Sequence, residues 1–380
     1  MPPTVLEPAA AKGLAGVVAN QSAICYVFGE EGRLIYRGYD INDLADHSTF
    51  EETAYLLLKG DLPTRDQLKA FVADLKAAQK LDKVVQRIIK DAPRTANPMN
   101  VLRTAVSASA FVDPDQGDNT AAADYRKAVR LIAQVPTMVA MFHRLRTERK
   151  PLAPRRGLSL AANFLYMVSG EVPDPEAAKA LDVALILHAD HELNASTFAA
   201  RVVAATLADL HGAVTGAIAA LAGPLHGGAN AEVMKMLLDM GTPESAEAWV
   251  RSALGRKQKV MGFGHRVYRT EDPRAAHLRR MSEALGRKAG QPHWFAIQRV
   301  IEDLMRQEKG LYCNVDFYSA SMYYVMGIPL DLYTPIFAVS RVSGWCAHVL
   351  EQHADNRLIR PRAEYVGAMN RKWTPVRRRA

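Results

Sequence analysis

Phe50-Glu51-Glu52-Thr53-Ala54-Tyr55-Leu56-Leu57-Leu58, the breaker Gly60-Asp61-Leu62-Pro63, and then Arg65 through Leu81 read as two helices joined by a turn. Apolar residues recur at three- and four-residue spacing on both sides, which is the period of one helix face. Glycine and proline between them stop one helix and release the next. The same grammar continues outward. Asn97-Pro98 opens a helix through Val101, Val106 and Phe111, and Asp113 to Asn119 is a polar loop. A further helix spans about Ala121 to Arg146, with Pro136 inside it as an expected kink or break. Lys150 to Gly157 is the next breaker. Gly212 to Gly223 is apolar and rich in Ala and Gly. It is too short for a bilayer, which needs roughly 20 residues, and reads as a buried helix. The one hairpin lies early, with Ile24 to Phe28, the turn Gly29-Glu30-Glu31-Gly32, and Arg33 to Tyr36. Alternating strand–helix units are absent, which argues against a doubly wound sheet. The expected fold class is all-α with a small N-terminal β-hairpin.

The chain has 380 residues, enough for one large domain or two with a buried core. Hydrophobic residues make up 49% and charged residues 23%, ordinary for a soluble globular protein. The formal net charge is +8, from 48 basic and 40 acidic residues. That modest surplus suits a site for anions. No dense basic stripe with interleaved aromatics appears, so a nucleic-acid or membrane surface is not indicated, and Arg377-Arg378-Arg379 reads as a solvated tail. Cys25, Cys313 and Cys346 are odd in number and widely spaced. They build no disulfide framework, which fits a reducing cytoplasm. Met1 to Lys12 has no apolar core and is not read as a signal peptide.

Several stretches carry histidine, arginine or carboxylate where packing alone gives little reason for one. In His188-Ala189-Asp190-His191-Glu192, the two histidines share a helix face. A metal pair, core histidines and a ligand-binding histidine all fit, but His-Glu-x-x-His is not met because position 195 is Ala. Asn194-Ala195-Ser196-Thr197 then offers caps for a long Ala-rich helix to Leu210. Pro224-Leu225-His226-Gly227-Gly228-Ala229-Asn230 lies between helices. Its paired glycines allow close backbone approach and positive φ, and His226 reads either as a neutral donor or as a surface-loop histidine. Gly262-Phe263-Gly264-His265 is half a glycine fingerprint. Position 267 is Val and a basic helix end precedes it, so a dinucleotide fold is disfavoured. A backbone turn contacting a flat base or a phosphate stays open, and in the phosphate case Arg269, four residues after His265, would face the same group. Asp272-Pro273 starts a helix and puts Arg274 in its first turn, a favourable place for an anion. Asp316, among aromatic and apolar residues, is either a base of raised pKa or the N-cap of a helix from Ser319 to Met326. Thr334-Pro335 starts a helix in which Arg341, flanked by apolar residues, must find an anionic partner or ligand. Two imidazoles, a lone carboxylate and fixed cations suit removal of a weakly acidic proton beside a carbonyl.

In this order and with these gaps, the motifs resemble those of citrate synthases in their shorter bacterial and archaeal form. The resemblance runs from Gly16-Val17-Val18-Ala19 and Tyr36-Arg37-Gly38-Tyr39-Asp40 to Phe337-Ala338-Val339-Ser340-Arg341 and Arg360-Pro361-Arg362. It implies a large helical domain from residues 1–227 and 328–380, which dimerises, and a mobile CoA-binding helical domain from 228–327. It implies Asp316 as the base that takes a proton from acetyl-CoA, His226 as hydrogen-bond donor to the thioester oxygen, and His265 as the group that polarises the oxaloacetate carbonyl. His191, Arg274 and Arg341 would hold oxaloacetate, with Arg360 reaching in from the second subunit. Lys259, Val260, Met261, Gly262, Phe263 and Gly264 would line the CoA adenine, and Arg269 its phosphates. Acetyl-CoA would be a co-substrate, with no cofactor and no metal. Too few residues precede Gly16 for the longer, hexameric form, so a plain cytoplasmic homodimer serving the tricarboxylic acid cycle is expected. The nearest rival is 2-methylcitrate synthase of the methylcitrate cycle, which takes propionyl-CoA. One methylene discriminates by only ~1–3 kcal/mol, so the motifs do not separate the two. A basic nucleic-acid-binding protein is the remote alternative.

Overall fold

Helix starts in this chain are written into its side chains. Thr49, Thr64, Asp82, Asn97, Thr120, Ser159, Asp174, Asn194, Asp209, Thr242, Asp272 and Asn314 each accept a hydrogen bond from a first-turn amide. Each such cap satisfies one of the donors a helix end leaves open, worth typically ~1 kcal/mol. A computed structural model describes residues 11–14 and 16–379. Most of the Met1 to Lys12 segment, residues 1–10, lies outside the described residues.

Among the described residues, a three-stranded antiparallel sheet comes first, with β1 (Cys25–Phe28), β2 (Arg33–Tyr36) and β3 (Tyr39–Asp40) in the order β1-β2-β3. Cys25 pairs with Tyr36 and Phe28 with Arg33, so the expected hairpin is present and gains a third strand. The helices α1 (Ile41–His47), α2 (Phe50–Lys59), α3 (Arg65–Ala78), α4 (Lys83–Asp91), α5 (Pro98–Ser109) and α6 (Ala121–Arg146) follow. Next come α7 (Leu160–Ser169), α8 (Pro175–His188), α9 (Ala195–Ala204) and α10 (Leu210–Leu221). Then α11 (Ala229–Met240), α12 (Pro243–Gly255), α13 (Pro273–Lys288), α14 (His293–Lys309), α15 (Val315–Val325) and α16 (Tyr333–Ala354) complete the described α-helices. The fold is therefore all-α with one small sheet.

The core is centred on α16, which is buried along almost all of its length from Tyr333 to Val349 and packs against α2, α6, α8, α9 and α10. A second group, α11 to α15, packs largely on itself, and α13 also touches α1 and α8. No described helix is long and apolar enough to cross a membrane. The three cysteines are free and buried.

Three local expectations are corrected. Of the kink or break expected at Pro136, the break is absent, since α6 is continuous from Ala121 to Arg146. Proline inside a helix costs ~3 kcal/mol or more. Leu131, Ile132, Val135, Met138, Val139 and Phe142 around it are buried, at ~1.5–3 kcal/mol each for large apolar side chains, and outweigh that cost. The helix opened by Asn194 stops at Ala204 instead of reaching Leu210, because Leu207 takes a left-handed φ of 63° and Asp209 caps a new helix. Thr334 does not cap α16, which begins one residue earlier; its hydroxyl donates instead to the Gly227 carbonyl at 3.1 Å.

Candidate active site

Two short segments far apart in sequence are tied together by backbone. The Asn314 amide donates to the Gly262 carbonyl at 2.9 Å, and the Gly264 amide to the Tyr312 carbonyl at 3.1 Å. The Asn314 side chain adds a bond to the Gly264 carbonyl at 3.2 Å. This antiparallel bridge, with Phe263 opposite Cys313, sets the glycine turn beside the start of α15. Gly262 has φ of 85°, and a β-carbon there would stand 2.7 Å from the Phe317 ring. Only glycine fits both conditions. Asp272 adds a second tie, accepting from the Arg274 amide at 3.1 Å and from the Val315 amide at 3.2 Å. The N-termini of α13 and α15, which carry Arg274 and Asp316, are thereby locked side by side.

Asp316 is not the N-cap of α15. Asn314 takes that role, accepting from the Asp316 amide at 3.0 Å, and Asp316 stands in the first turn, half-buried. Burial pushes its carboxyl up to about 6, against the opposing pull of Arg274. Arg274 is buried and grips Asp272 bidentately at 2.9 and 2.7 Å. Arg341 is 1% exposed. Its Nε donates to the His188 carbonyl at 2.6 Å and its guanidinium lies 4.7 Å from the centre of the Phe337 ring. No carboxylate among the described residues pairs with it within 4.0 Å, so the anionic partner demanded by the sequence is not another side chain.

The histidines have defined proton positions. The amides of Val267 and Tyr268 both donate to His265 Nδ1 at 3.0 Å, which leaves the proton of the neutral ring on Nε2. The Ser196 amide donates to His226 Nε2 at 3.3 Å, with the Ser196 hydroxyl at 2.9 Å, so His226 carries its proton on Nδ1. Burial lowers both pKa values to about 4, helped at His265 by Arg274 and at His226 by Arg341. His191 is held well below the usual histidine range by burial, then by Arg274, His265 and Arg341. Its Nε2 is buried without a hydrogen-bond partner, and its ring meets His265 edge-on at 5.2 Å. His188 donates from Nδ1 to the Ala184 carbonyl at 2.7 Å, and its ring packs edge-on against Phe337, so it belongs to the core beside the site.

His191, His226, His265, Asp316, Arg274 and Arg341 are linked through charge, with Arg274 and Arg341 both acting on Asp316 and His191, Arg274 also on His265 and Arg341 on His226. The expected positive φ at Gly227 and Gly228 is absent. Gly227 instead serves close approach, since a β-carbon there would stand 2.6 Å from the Leu221 carbonyl. Of the residues expected at the adenine and phosphates, Lys259 and Arg269 are exposed, Met261 and Phe263 half-buried, and Val260 and Gly262 buried, leaving those two mainly backbone to offer. Arg360 is exposed and is not brought into this cluster. Sequence reasoning missed Tyr268, whose ring packs on His191 and His265 and whose buried hydroxyl has no partner. It also read Asp272 and Ser196 only as caps. Their second roles depend on contacts 43 and 30 residues away, which no local pattern displays.

One group elsewhere has metal-ligand chemistry. Ligand atoms of Glu271, Glu302 and Cys313 lie within 4.8 Å of one another. Arg279 donates to both carboxylates and sits 3.8 Å from the thiol, so a guanidinium already supplies the cation there.

Comparison with known proteins supplies a frame for this geometry. Residues 13–362 match the family described as citrate synthase, C-terminal domain. The chain is 48% identical to citrate synthase 2 of Bacillus subtilis, over 98% of this chain and 100% of that protein. It is 50% identical to a citrate synthase of Haloferax volcanii, over 96% and 98%. It is also 44% identical to a 2-methylcitrate synthase of Mycobacterium tuberculosis, over 96% and 93%. Among solved structures, citrate synthase from Pyrobaculum aerophilum aligns with a TM-score of 0.92 at 43% identity, covering 97% of this chain and 95% of that one. The ternary complex of citrate synthase from Thermoplasma acidophilum with carboxymethyl coenzyme A and oxaloacetate aligns with a TM-score of 0.91 at 34% identity, covering 97% and 99%.

Proposed function

The chain belongs to the citrate synthase family, and from that premise we propose how its own residues divide the reaction. It is an acyltransferase that condenses acetyl-CoA with oxaloacetate and releases citrate and CoA. The observation that carries the assignment of roles is the pair of fixed tautomers, His226 with its proton on Nδ1 and His265 with its proton on Nε2, together with the raised carboxylate of Asp316.

Asp316 takes a proton from the acyl carbon next to the thioester. Its raised pKa brings it nearer the weak acid it must deprotonate. His226 donates from Nδ1 to the thioester oxygen, so charge does not accumulate on the enol. His265 donates from Nε2 to the oxaloacetate carbonyl as the new carbon–carbon bond forms, and water then cleaves the citryl thioester. Arg274, Arg341 and His191 hold the oxoacid carboxylates; a guanidinium pairs bidentately with such a group. Lys259 to Gly264 and Arg269 receive the CoA. Proton transfer, attack of the enol carbon on the oxoacid carbonyl and attack by water make up the scheme, which calls for no resident cofactor.

Residues 228–327 form the mobile CoA-binding domain, and 1–227 with 328–380 the dimerising one. The self-packing of α11 to α15 supports that division. A homodimer in the cytoplasm completes the site, with Arg360 supplied by the second subunit. Support comes from the segment after α16, where Leu358, Tyr365, Val366, Met369, Trp373 and Val376 are all exposed, more apolar surface than a lone chain usually shows in one stretch. Chains carrying Asp316→Ala and Arg360→Leu are each expected to be inactive. Mixed, they regain about a quarter of wild-type activity, because about half of the random dimers are mixed and each then holds one whole site. No recovery after proven exchange refutes the shared site.

The 44% identity to a 2-methylcitrate synthase supports propionyl-CoA as a second acyl donor. Thiol release from acetyl-CoA and from propionyl-CoA, each with oxaloacetate, decides between them. A kcat/KM more than about tenfold higher for propionyl-CoA overturns the acetyl-CoA reading.

A further inference from the structure

One stripe of α16 bears on both histidine turns. Arg341, Gly344, Trp345, His348 and Gln352 follow helical spacing, and all are buried. Trp345 Nε1 donates to the Ser196 hydroxyl at 3.1 Å, the hydroxyl that meets His226. Gly344 gives room. A β-carbon there would collide with the Ala189 carbonyl and approach Asp190 Oδ1 to 2.7 Å. One turn on, His348 Nε2 meets Asp190 Oδ2 at 3.1 Å, and both residues are at most 1% exposed. Arg201 NH1 lies 3.0 Å from His348 Nδ1 and 2.6 Å from Glu351 Oε2. A guanidinium only donates, so His348 Nδ1 accepts and Nε2–H is directed at the Asp190 carboxylate.

Asp190 is the residue before His191. Its backbone is clamped by the Tyr36 hydroxyl, at 2.8 Å from its carbonyl and 3.2 Å from its amide. Immediately after His191, Glu192 takes a φ of 52°, which non-glycine residues rarely adopt. His191 thus projects from a short strained turn anchored on its N-terminal side by the Tyr36 hydroxyl, by the Arg341 bond to the His188 carbonyl at 2.6 Å, and by the buried Asp190 carboxylate held by His348. The imidazole itself has no hydrogen bond at Nε2 to orient it.

We propose that His348 is a positioning residue for the oxoacid site, holding His191 in its binding orientation through Asp190. The chain Arg201–His348–Asp190 transmits the register of α16 to the turn, so the helix that carries Arg341 also aims His191. Two groups that bind one substrate are thereby set by one rigid element. The inference rests on His191 as an oxaloacetate ligand.

Steady-state kinetics of His348→Leu and His348→Gln test it. Leucine removes the donor to Asp190. The oxaloacetate KM is expected to rise about tenfold or more, with the acetyl-CoA KM within about twofold and kcat within about threefold. Glutamine extends an N–H to the position of Nε2 and restores the oxaloacetate KM to within about threefold of wild type. A general loss of fold moves both KM values, kcat and the melting point together, and does not distinguish the substrates; that pattern, or an unchanged oxaloacetate KM, overturns the proposal. Should the leucine variant not fold, His348→Asn takes its place, since its shorter amide falls short of Asp190; equal oxaloacetate KM values for Asn and Gln overturn it. His191→Gln separates the two ideas. If it leaves oxaloacetate binding intact, the ligand role of His191 fails first. If it is defective while His348→Leu is normal, only the positioning role fails.

Discussion

Replacing Asp316 by Asn should abolish activity and raise stability at once. The carboxyl of Asp316 is pushed up to about 6 by burial, against an ordinary value of 3.8. An upward shift means the folded state binds the proton more tightly than the unfolded chain does. Below pH 4 both states are protonated and the group contributes nothing. Between about pH 4 and 6 the folded state holds more protons, so stability falls as pH rises, and above 6 the full penalty is present. About two pH units at 1.36 kcal/mol each gives an upper figure of about 3 kcal/mol per site, and partial solvent contact in the cleft reduces it to about 1–3 kcal/mol. Asn is nearly isosteric and never ionises, so it escapes this penalty and loses the base. The expected result is a kcat lower by about 10²–10⁴. Thermal unfolding should show a melting point higher than wild type at pH 7.5, with the gap closing as pH is lowered toward 5. An Asn variant that melts lower than wild type at pH 7.5, or a gap that does not depend on pH, refutes the buried-base reasoning. Activity above about a tenth of wild type refutes the base itself.

The remaining expectations use the same site. The acid limb of kcat/KM should follow Asp316, falling below about pH 6, because His226 and His265 lie near 4 and stay neutral through that range; a limb centred at 7 or above contradicts this. Arg274→Leu should abolish measurable oxaloacetate binding and also destabilise the fold by about 3–5 kcal/mol, since it strands the buried Asp272 carboxylate. Calorimetric titration and melting curves check the two parts, and unchanged affinity removes Arg274 from the oxoacid site. Gly262→Ala forces a side chain into a φ of 85° and against Phe317, at a cost of about 1–3 kcal/mol. Because that strain falls on the bridge to Asn314, kcat should drop more than the oxaloacetate KM changes; wild-type kinetics would show that the bridge does not set Asp316.

Much of this was legible along the chain, because local rules carry it. Helical periodicity, breakers and caps are properties of neighbours, and α10, α13 and the early hairpin lie where the spacing puts them. The residues of the site were legible as oddities, polar groups in apolar or glycine-rich settings. That Pro136 does not break its helix could not be read there, because its fate depends on the helices packed around α6, which periodicity does not show. Asp316 stayed ambiguous because Asn314, two residues away, competes for the same capping role, and only the backbone geometry at the start of α15 gives the cap to Asn314 and leaves the carboxylate free.

By itself, then, the sequence determined the helical class, the element order and the identity of the groups able to do chemistry, since each rests on interactions within a few residues. Which nitrogen of His226 or His265 bears the proton, that Arg274 shares its charge with Asp272 while Arg341 pairs with no carboxylate among the described residues, and that α16 reaches Asp190 through His348 were decided only in three dimensions. Those features come from amides and side chains brought together across separations of 2 to 158 residues. Only the packed fold fixes such distances, and with them the direction of every hydrogen bond in the site.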